Sequence, residues 1–373
     1  MLGTEVVEKI RMKQRYMQLL SELLVNFKSY INEVARKKFG ETPRFLTLNR
    51  IETVEKIGSK GLQLVTAQFQ TELGGLTLSI AIKEFNQKEE AKKNRELTKL
   101  IAQRLYPSNN AEIELINVST PRVLLRYDAT LIYEGILGET FRDCELDHFE
   151  KLELTGKALA KYHSSEIKPA DSDRYIFLVT KVLEQLPVPV ERKNKYLSRA
   201  VELVKDSVSL INSGTAVFGD FHRENVMFSI DKEAKGKNYV QTWLIDPEYA
   251  EAEKNADRME DIATFFLHQA IDSYQKEKKG DIQRDESLEK LKTDLEHLFK
   301  GYDSFLAMHH TSLQQLYSNK LDTTFAFHLG LSALMEALFA VKRGSVSNQE
   351  TVERISMCLG LANRCWTKGL NWS

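Results

Sequence analysis

Three polar residues in the second half of the chain have the types and the order that a divalent cation and a phosphate group require. Asp220 and Asn225 lie in one short polar segment, separated by Phe-His-Arg-Glu, and Asp246 ends a later apolar run. Mg²⁺ takes oxygen ligands, accepts one or two carboxylates and keeps positions for phosphate oxygens. Phosphoryl transfer needs this metal site and a carboxylate that orients the attacking hydroxyl. The pattern predicts Asp220 as the proton acceptor, and Asn225 and Asp246 as metal ligands.

Two short strands position these three residues. The runs "NVMFSI" and "YVQTWLID" have strand character and are joined by the polar turn "DKEAKGKN". A hairpin of this kind brings the polar segment before its first strand beside the end of its second strand. We therefore expect Asp220, Asn225 and Asp246 to lie close together.

The first third of the chain has the pattern of a small sheet that carries one helix. The runs "LQLVTAQFQ" and "LTLSIAIKEF" alternate with a period of two around "TELGG", whose glycines suit a hairpin. The second run places Lys83 on its more polar face. A helical pattern follows in "NQKEEAKKNRELTKLIAQRLY", strand character returns in "RVLLRYDATLIYEGI", and most of the chain after Leu137 is helical in pattern. The long apolar run "LGLSALMEALFAV" is predicted to be a buried helix rather than a membrane span, because Glu336 interrupts it.

Residues 4–38 form an amphipathic pattern that predicts one helix ending near Gly40. Its apolar positions alternate in steps of three and four: Met17, Leu20, Leu24, Phe27, Ile31 and Val34. The pattern favours a helix docked on its own domain. The alternative is a coiled-coil helix that forms a homodimer, although the apolar seam lasts under three heptads.

Composition excludes several classes of partner. The chain has 373 residues, with 52 basic against 53 acidic side chains and a formal charge of −1. This balance provides no overall field for nucleic acid or an anionic membrane, so neither is expected as a partner. Three scattered cysteines form neither a disulfide framework nor a zinc motif. Charged residues near the N-terminus argue against a signal peptide, and we expect a cytoplasmic protein.

The motifs together resemble the aminoglycoside phosphotransferase and choline kinase group, the small-molecule branch of the protein-kinase-like fold. The resemblance covers roughly residues 45–270 and rests on segments in matching order: "IAIK", "LIYEGILGETFRD", "GKALAKYH", "FGDFHRENVMF" and "LIDPEYA". It implies a bilobal α+β fold with a small antiparallel-sheet N-lobe, a mainly helical C-lobe and an extra N-terminal helix. The corresponding domains are residues 1–40, 41–134 and 135–373.

The resemblance also implies roles for individual residues. Asp220 matches the catalytic base, and Asn225 and Asp246 match the two metal ligands. Lys83 matches the lysine that binds the α- and β-phosphates of ATP, and Glu96 matches the glutamate that holds that lysine. Glu89, on nearly the same helical face as Glu96, is the alternative partner.

Two further segments match parts of the nucleotide site. Glu134 and Ile136 match hinge positions that offer a backbone carbonyl and a backbone N–H to adenine. The segment "KIGSKGLQLV" matches a turn that covers phosphates, which makes Ser59 and Gly61 candidate contacts.

Three other residues bear on the predicted loop and its class. Phe218 stands where this group commonly has a histidine that packs beneath the loop, and an aromatic ring is expected to substitute there. Asp261 matches an aspartate that braces the loop through backbone hydrogen bonds, with a helix N-cap as the alternative. The sequence Asp246-Pro247-Glu248 is usual in the small-molecule branch and argues against a protein kinase.

The resulting prediction is an enzyme that uses ATP and Mg²⁺ to phosphorylate a hydroxyl of a small molecule. An amino sugar, an amine alcohol or a related metabolite is the expected acceptor. The acidic run "EYAEAEKNADRMED" could recognise a cationic acceptor, although a solvated acidic face is favoured. The alternatives are a kinase-like module that binds nucleotide without turnover, and a protein kinase.

Overall fold

The chain divides into two compact units. The computed structural model describes residues 2–57, 62–105, 117–136, 138–163, 171–206, 214–231, 239–246, 251–344 and 349–368. Contacts group Met1–Gln103, Ser119–Glu139 and Phe228–Asp246 into the first unit. The second unit consists of Arg104–Val118, Thr140–Met227 and Pro247–Ser373.

The first unit contains sheet and helix. Its helices are α1 (Leu2–Leu23), α2 (Lys28–Phe39) and α3 (Lys88–Leu105). Its main strands are β1 (Thr47–Ile57), β2 (Leu62–Thr71), β3 (Gly74–Glu84), β5 (Val123–Tyr127) and β6 (Thr130–Glu134). The short strands β4 (Val118–Ser119) and β7 (Glu139–Thr140) lie at the edges of a second sheet, beside β9 (Val226–Asp231) and β10 (Tyr239–Leu244), in the order β4-β10-β9-β7.

The main sheet is antiparallel, with the order β1-β2-β3-β6-β5. The predicted hairpin between β2 and β3 is confirmed, and Thr71 pairs with Gly74 across its turn. The predicted alternation in β3 is confirmed as well, because its inward side chains are all buried: Leu76, Leu78, Ile80 and Ile82. The strand pattern in "RVLLRYDATLIYEGI" consists of two paired strands, since the chain turns at Asp128, whose φ is 53°. Aspartate tolerates this left-handed conformation better than most residues.

The N-terminal segment differs from the single helix predicted for residues 4–38. A 3-10 turn at Leu24–Phe27 separates α1 from α2. The turn contains Val25 and Asn26, and both residue types have low helix propensity. Leu20 on α1 and Ile31 on α2 are fully buried in one apolar core with the strands of the main sheet. The prediction of a segment docked on its own domain is therefore confirmed for these seam residues.

The second unit is mainly helical. Its long helices are α4 (His148–His163), α5 (Ser172–Gln185), α6 (Val190–Asp206), α7 (Met259–Lys279), α8 (Arg284–Leu306), α10 (Leu321–Arg343) and α11 (Gln349–Lys368). The short helix α9 spans Leu313–Tyr317, and the strands β8 (Gly214–Val217) and β11 (Glu251–Asp257) pair antiparallel.

Helices α4 and α8 approach each other closely through two glycines. A Cβ atom on Gly156 would lie 2.1 Å from the carbonyl oxygen of Leu298, and one on Gly301 would lie 1.9 Å from that of Glu153. Only glycine fits at either position. This contact brings His163, at the end of α4, beside Tyr302 on α8.

Helix α10 contains the long apolar run. Among the described residues it is the helix whose length and composition would allow it to cross a membrane, but 67% of its apolar window is buried inside the structure. The predicted buried helix is confirmed.

Candidate functional site

Asp261 on α7 holds the segment that precedes Asp220. Its Oδ2 accepts a hydrogen bond from Phe218 N at 2.6 Å, and its Oδ1 accepts one from Gly219 N at 2.8 Å. Gly219 has a φ of 82°, which most other residues adopt only with strain. The predicted brace is therefore confirmed, and the chain direction into Asp220 is set by a buried carboxylate.

A chain of buried hydrogen bonds orients Asp261 in turn. Arg258 Nη1 donates to Tyr302 Oη at 3.2 Å, Tyr302 Oη lies 2.8 Å from His163 Nδ1, and His163 Nε2 lies 2.9 Å from Asp261 Oδ2. Because arginine can only donate, the tyrosine proton points at Nδ1, and His163 carries its own proton on Nε2. His163 Nε2 is then the donor to Asp261 Oδ2.

Burial shifts the pKa values of this pair in opposite directions. It lowers the pKa of His163 well below its usual range, helped by the positive charges of Arg258 and Arg104. It raises the pKa of Asp261 to about 7, although the N–H groups of Phe218 and Gly219 act against this rise. The contact is therefore a hydrogen bond from a neutral imidazole and not an ion pair.

Asp220 and Asn225 are linked within the loop. Asn225 Nδ2 donates to the backbone oxygen of Asp220 at 2.8 Å, and Asn225 N donates to His222 O at 2.9 Å. This arrangement leaves Asn225 Oδ1 with no hydrogen-bond partner in the described part of the chain, so the oxygen can act as a metal ligand. The Asp220 carboxylate is partly exposed, and His222 Nε2 lies 3.7 Å from its Oδ2.

Aromatic packing fixes the rest of the loop. Phe218 is fully buried and makes edge contacts with the rings of Tyr162 and Phe221. The expected substitution of an aromatic ring for a histidine is confirmed as packing. Arg223, inside the loop, lies between the rings of Phe141 and Phe265, with its guanidinium carbon 5.2 and 5.5 Å from their centroids.

Lys83 and Asp246, both in the first unit, form an ion pair of 2.6 Å. Lys83 is buried, and the Asp246 carboxylate is 22% exposed. Asp246 has a φ of 59°, a left-handed conformation that residues other than glycine seldom adopt. The structure therefore brings together the predicted phosphate-binding lysine and a predicted metal ligand.

The predicted pairing of Lys83 with Glu96 is wrong in this structure. Glu96 is exposed, and its ion pair is with Lys99 at 3.4 Å. Its alternative, Glu89, is exposed too. The physical reason is the rotation of α3 about its own axis, which decides which residues face the sheet. Asn94 is buried on that face and accepts a hydrogen bond from Tyr133 Oη at 2.6 Å. Glu96 follows two residues later, about 200° around the helix.

The hinge residues lie at the end of β6. Gly135 N donates to Ser79 O at 2.9 Å, and a Cβ atom on Gly135 would lie 2.3 Å from the Ser79 backbone. Glu134 N donates to Arg122 O at 3.0 Å. Ile136 N makes no hydrogen bond within the described residues. The assignment of this N–H to adenine stays a prediction.

The remaining predicted residues fall into two groups. Ser59 and Gly61 lie outside the described residues, as does Glu248. Within the acidic run, Asp257 is fully buried and accepts a hydrogen bond from Tyr317 Oη at 2.6 Å. Glu260 pairs with Arg174 at 2.9 Å. These two carboxylates stabilise the second unit internally and are not available to a cationic substrate.

The described residues contain no group of three or more His, Cys, Asp or Glu side chains that could hold a metal ion. A zinc-type or calcium-type protein cage is therefore not present in that part of the chain. One carboxylate and one amide oxygen suit Mg²⁺, which takes few protein ligands and completes its shell with water and phosphate. Asp246 in the first unit and Asn225 in the second each offer an oxygen donor of the type that Mg²⁺ accepts.

Sequence reasoning missed the residues that support the loop. His163 is part of the quoted segment "GKALAKYH", yet its hydrogen bond to Asp261 depends on a contact between distant helices. Arg223 lies between Asp220 and Asn225, so its place inside the predicted loop was a signal that could have identified it as a supporting residue. Arg258 and Tyr302 have no local signal.

Comparison with known proteins places the fold. No protein-family model and no curated protein match the sequence. The solved structure of Plasmodium vivax ethanolamine kinase matches with a TM-score of 0.51 and 14% identity, over 85% of this chain and 81% of that one. A choline/ethanolamine kinase family protein from Mesorhizobium loti matches with a TM-score of 0.46 and 13% identity, over 85% and 93% of the two chains. Glucosamine kinase bound to glucosamine, ADP and inorganic phosphate matches with a TM-score of 0.47 and 11% identity, over 84% and 94%.

The fold assignment rests on the first of these likenesses. The chain shares its fold with the ethanolamine kinase, and the predicted protein-kinase-like α+β fold is confirmed.

Proposed function

We propose that the protein transfers the γ-phosphoryl group of ATP, with Mg²⁺, to a hydroxyl group of a small molecule. The observation that carries this proposal is the 2.6 Å ion pair between the buried Lys83 and Asp246. Taking a lysine out of water is costly unless an anion compensates its charge. A cation for phosphate and an anion for metal, held at one point, are the charges that a metal-nucleotide complex needs.

Each residue of the site has a proposed role. Lys83 would bind the α- and β-phosphate oxygens, and Asn225 and Asp246 would each offer an oxygen atom to the metal. Bound Mg²⁺ supplies charge neutralisation at the phosphates. Asp220 orients the acceptor hydroxyl and takes its proton as the new O–P bond forms and the bond from the γ-phosphorus to the ADP oxygen breaks. The hydrogen bonds from Phe218 N and Gly219 N to Asp261 keep Asp220 in place.

An amine alcohol or an amino sugar is the proposed class of acceptor. A solved structure that shares the fold is named an ethanolamine kinase, so ethanolamine is the first compound to test. Choline, glucosamine and aminoglycosides complete an informative panel, because each presents a hydroxyl near a cationic amine.

Substitution of Asp220 tests the proposal. We expect Asp220→Asn to lower kcat at least about 100-fold, because general-base catalysis contributes on the order of 10²–10⁴. ADP release with each acceptor measures the rate, and Asp281→Asn, an exposed aspartate far along the chain, serves as the matched control. Undiminished turnover by Asp220→Asn would refute the assigned base.

A second measurement separates the proposal from its rivals. We expect Asp246→Ala to weaken the binding of Mg-ATP in calorimetry, while binding of ATP in EDTA changes much less. Binding of Mg-ATP without turnover on the whole panel would favour a nucleotide-binding module. Phosphorylation of generic protein substrates would favour a protein kinase.

A further inference from the structure

Arg122 connects the N-terminal helical segment to the predicted adenine hinge. Its Nη1 donates to Glu33 Oε2 on α2 at 2.8 Å. Its Nε donates to Glu134 Oε2 at the end of β6 at 2.9 Å. One guanidinium group thus bridges a carboxylate on a helix and a carboxylate on the hinge.

The bridge holds Glu134 by its side chain and by its backbone. Arg122 N donates to Glu134 Oε1 at 2.8 Å, and Glu134 N donates to Arg122 O at 3.0 Å. The Glu134 carboxylate is only 13% exposed, whereas that of Glu33 is 41% exposed. With Gly135 N bound to Ser79 O, successive backbone groups at the hinge have fixed directions. The N–H of Ile136 follows them directly.

Helix α2 is a rigid anchor for this bridge. Ile31 and Ala35, on either side of Glu33, are fully buried in the core of the first unit. The guanidinium of Arg122 lies over the ring of Tyr30, 5.3 Å from its centroid. Hydrogen bonds from Arg122 and Lys37 lower the pKa of Glu33 to about 2, so its charge persists throughout the neutral range.

We propose that the N-terminal helical segment is part of the nucleotide site, with Glu33 and Arg122 as positioning residues that orient the backbone at 134–136 for adenine. The inference rests on the proposed function. It assigns the segment a role in recognition of the nucleobase, in addition to its packing on the sheet.

Removal of the bridge tests the inference through ligands that separate the base from the phosphates. We expect Glu33→Gln to weaken the binding of adenosine and ADP about threefold, as for one partly exposed ion pair. Arg122→Gln removes hydrogen bonds to both carboxylates and should weaken these ligands about tenfold. Tripolyphosphate, which has no base, should bind to all variants as it does to the wild type. KM for ATP should rise with the same ratios while kcat changes less than about twofold.

A double variant and a matched control complete the experiment. In the Arg122→Gln background, Glu33→Gln should have no further effect, because the two residues act through one bridge. Glu52→Gln removes another glutamate–arginine pair of the first unit, that of Glu52 with Arg50, and should bind all three ligands normally. If Arg122→Gln fails to fold, Glu33→Gln still decides the question, since its side chain lies outside the apolar core.

The outcomes distinguish this inference from the proposed function. A wild-type protein that binds neither ADP nor Mg-ATP overturns both. A wild-type protein that binds ADP, with variants that bind it equally well, overturns the inference alone. Equal weakening of adenosine and tripolyphosphate also overturns it, because the bridge would then support the whole unit and not the base site.

Discussion

Asp261→Asn separates the stability of the second unit from the geometry of its loop. The substitution keeps the size and shape of the side chain and replaces one carboxylate oxygen with an amide NH₂. Since Oδ2 accepts from both Phe218 N and His163 Nε2, we expect the NH₂ group to take the Oδ1 position, where it faces only the donor Gly219 N. One backbone N–H next to Asp220 therefore loses its acceptor, while the other keeps it.

Two opposing terms set the effect on stability. Burial raises the pKa of Asp261 from 3.8 to about 7, which corresponds to about 4 kcal/mol against the ionised form at high pH. The amide removes this cost. An N–H left without an acceptor costs about 1–3 kcal/mol. At pH 8 we therefore expect Asp261→Asn to stabilise the fold by about 1–3 kcal/mol.

The stability difference should depend on pH with a defined sign. The folded-state pKa of Asp261 lies above the unfolded value of 3.8, so the folded chain binds more protons between these two pKa values. The contribution of this group to stability is fully present below pH 4 and is lost as the pH rises to about 7. Because Asn does not titrate, the advantage of the variant should shrink by about 3 kcal/mol between pH 8 and pH 5.

Activity should change in the opposite direction. A loop that has lost one of its two anchors places Asp220 less accurately, and we expect kcat to fall about 10- to 100-fold. Urea unfolding at pH 5 and pH 8, together with ADP release, measures both effects. The matched control is Asp303→Asn. The Asp303 carboxylate also accepts a hydrogen bond from a backbone N–H, that of Leu313 at 2.7 Å, but it lies away from the loop around Asp220. The reasoning is refuted if Asp261→Asn leaves kcat within about twofold of the wild type, or if its stability follows pH as that of the wild type does.

Two further predictions concern packing. Gly135→Ala should destabilise the first unit by at least about 1–3 kcal/mol in urea unfolding, because the new Cβ atom meets the Ser79 backbone. The control is Gly75→Ala, whose new Cβ atom meets nothing within 4 Å and should be tolerated. Equal stability of the two variants would contradict the close approach of Gly135 to Ser79. Phe218→Ala should cost about 3–5 kcal/mol in urea unfolding, while Phe218→Leu, which keeps most of the volume, should cost under about 1.5 kcal/mol. A mild effect of Phe218→Ala would show that the loop does not depend on this ring.

Local patterns were sufficient for much of the fold. The alternation in β3 identified its buried face, since strand side chains alternate whatever the strand packs against. The brace by Asp261 followed from a resemblance in a single helical segment. The break between α1 and α2 was missed, because the apolar steps continue across Leu24–Phe27 and only weak helix propensities mark the turn.

Local patterns could not predict the partner of Lys83. Glu96 has the right charge at the right distance along the chain, but only the rotation of α3 decides which of its residues face the sheet. That rotation is set by the buried face of the helix, which carries Asn94 and Ile101. Asp246, 163 residues after Lys83, forms an ion pair with it instead. The sequence pattern therefore predicted the position of Lys83 on the sheet without predicting the carboxylate that pairs with it.

This exchange of partners has a consequence for the proposed chemistry. A glutamate beside Lys83 would hold the ammonium group whether or not nucleotide is bound, whereas Asp246 is itself proposed to take the metal. If Asp246 binds the metal, its charge is shared between the metal and Lys83, and phosphate oxygens would then add negative charge beside the buried Lys83. Binding of metal and of phosphate should therefore be mutually dependent in this chain, because both ligands act on the Lys83–Asp246 ion pair.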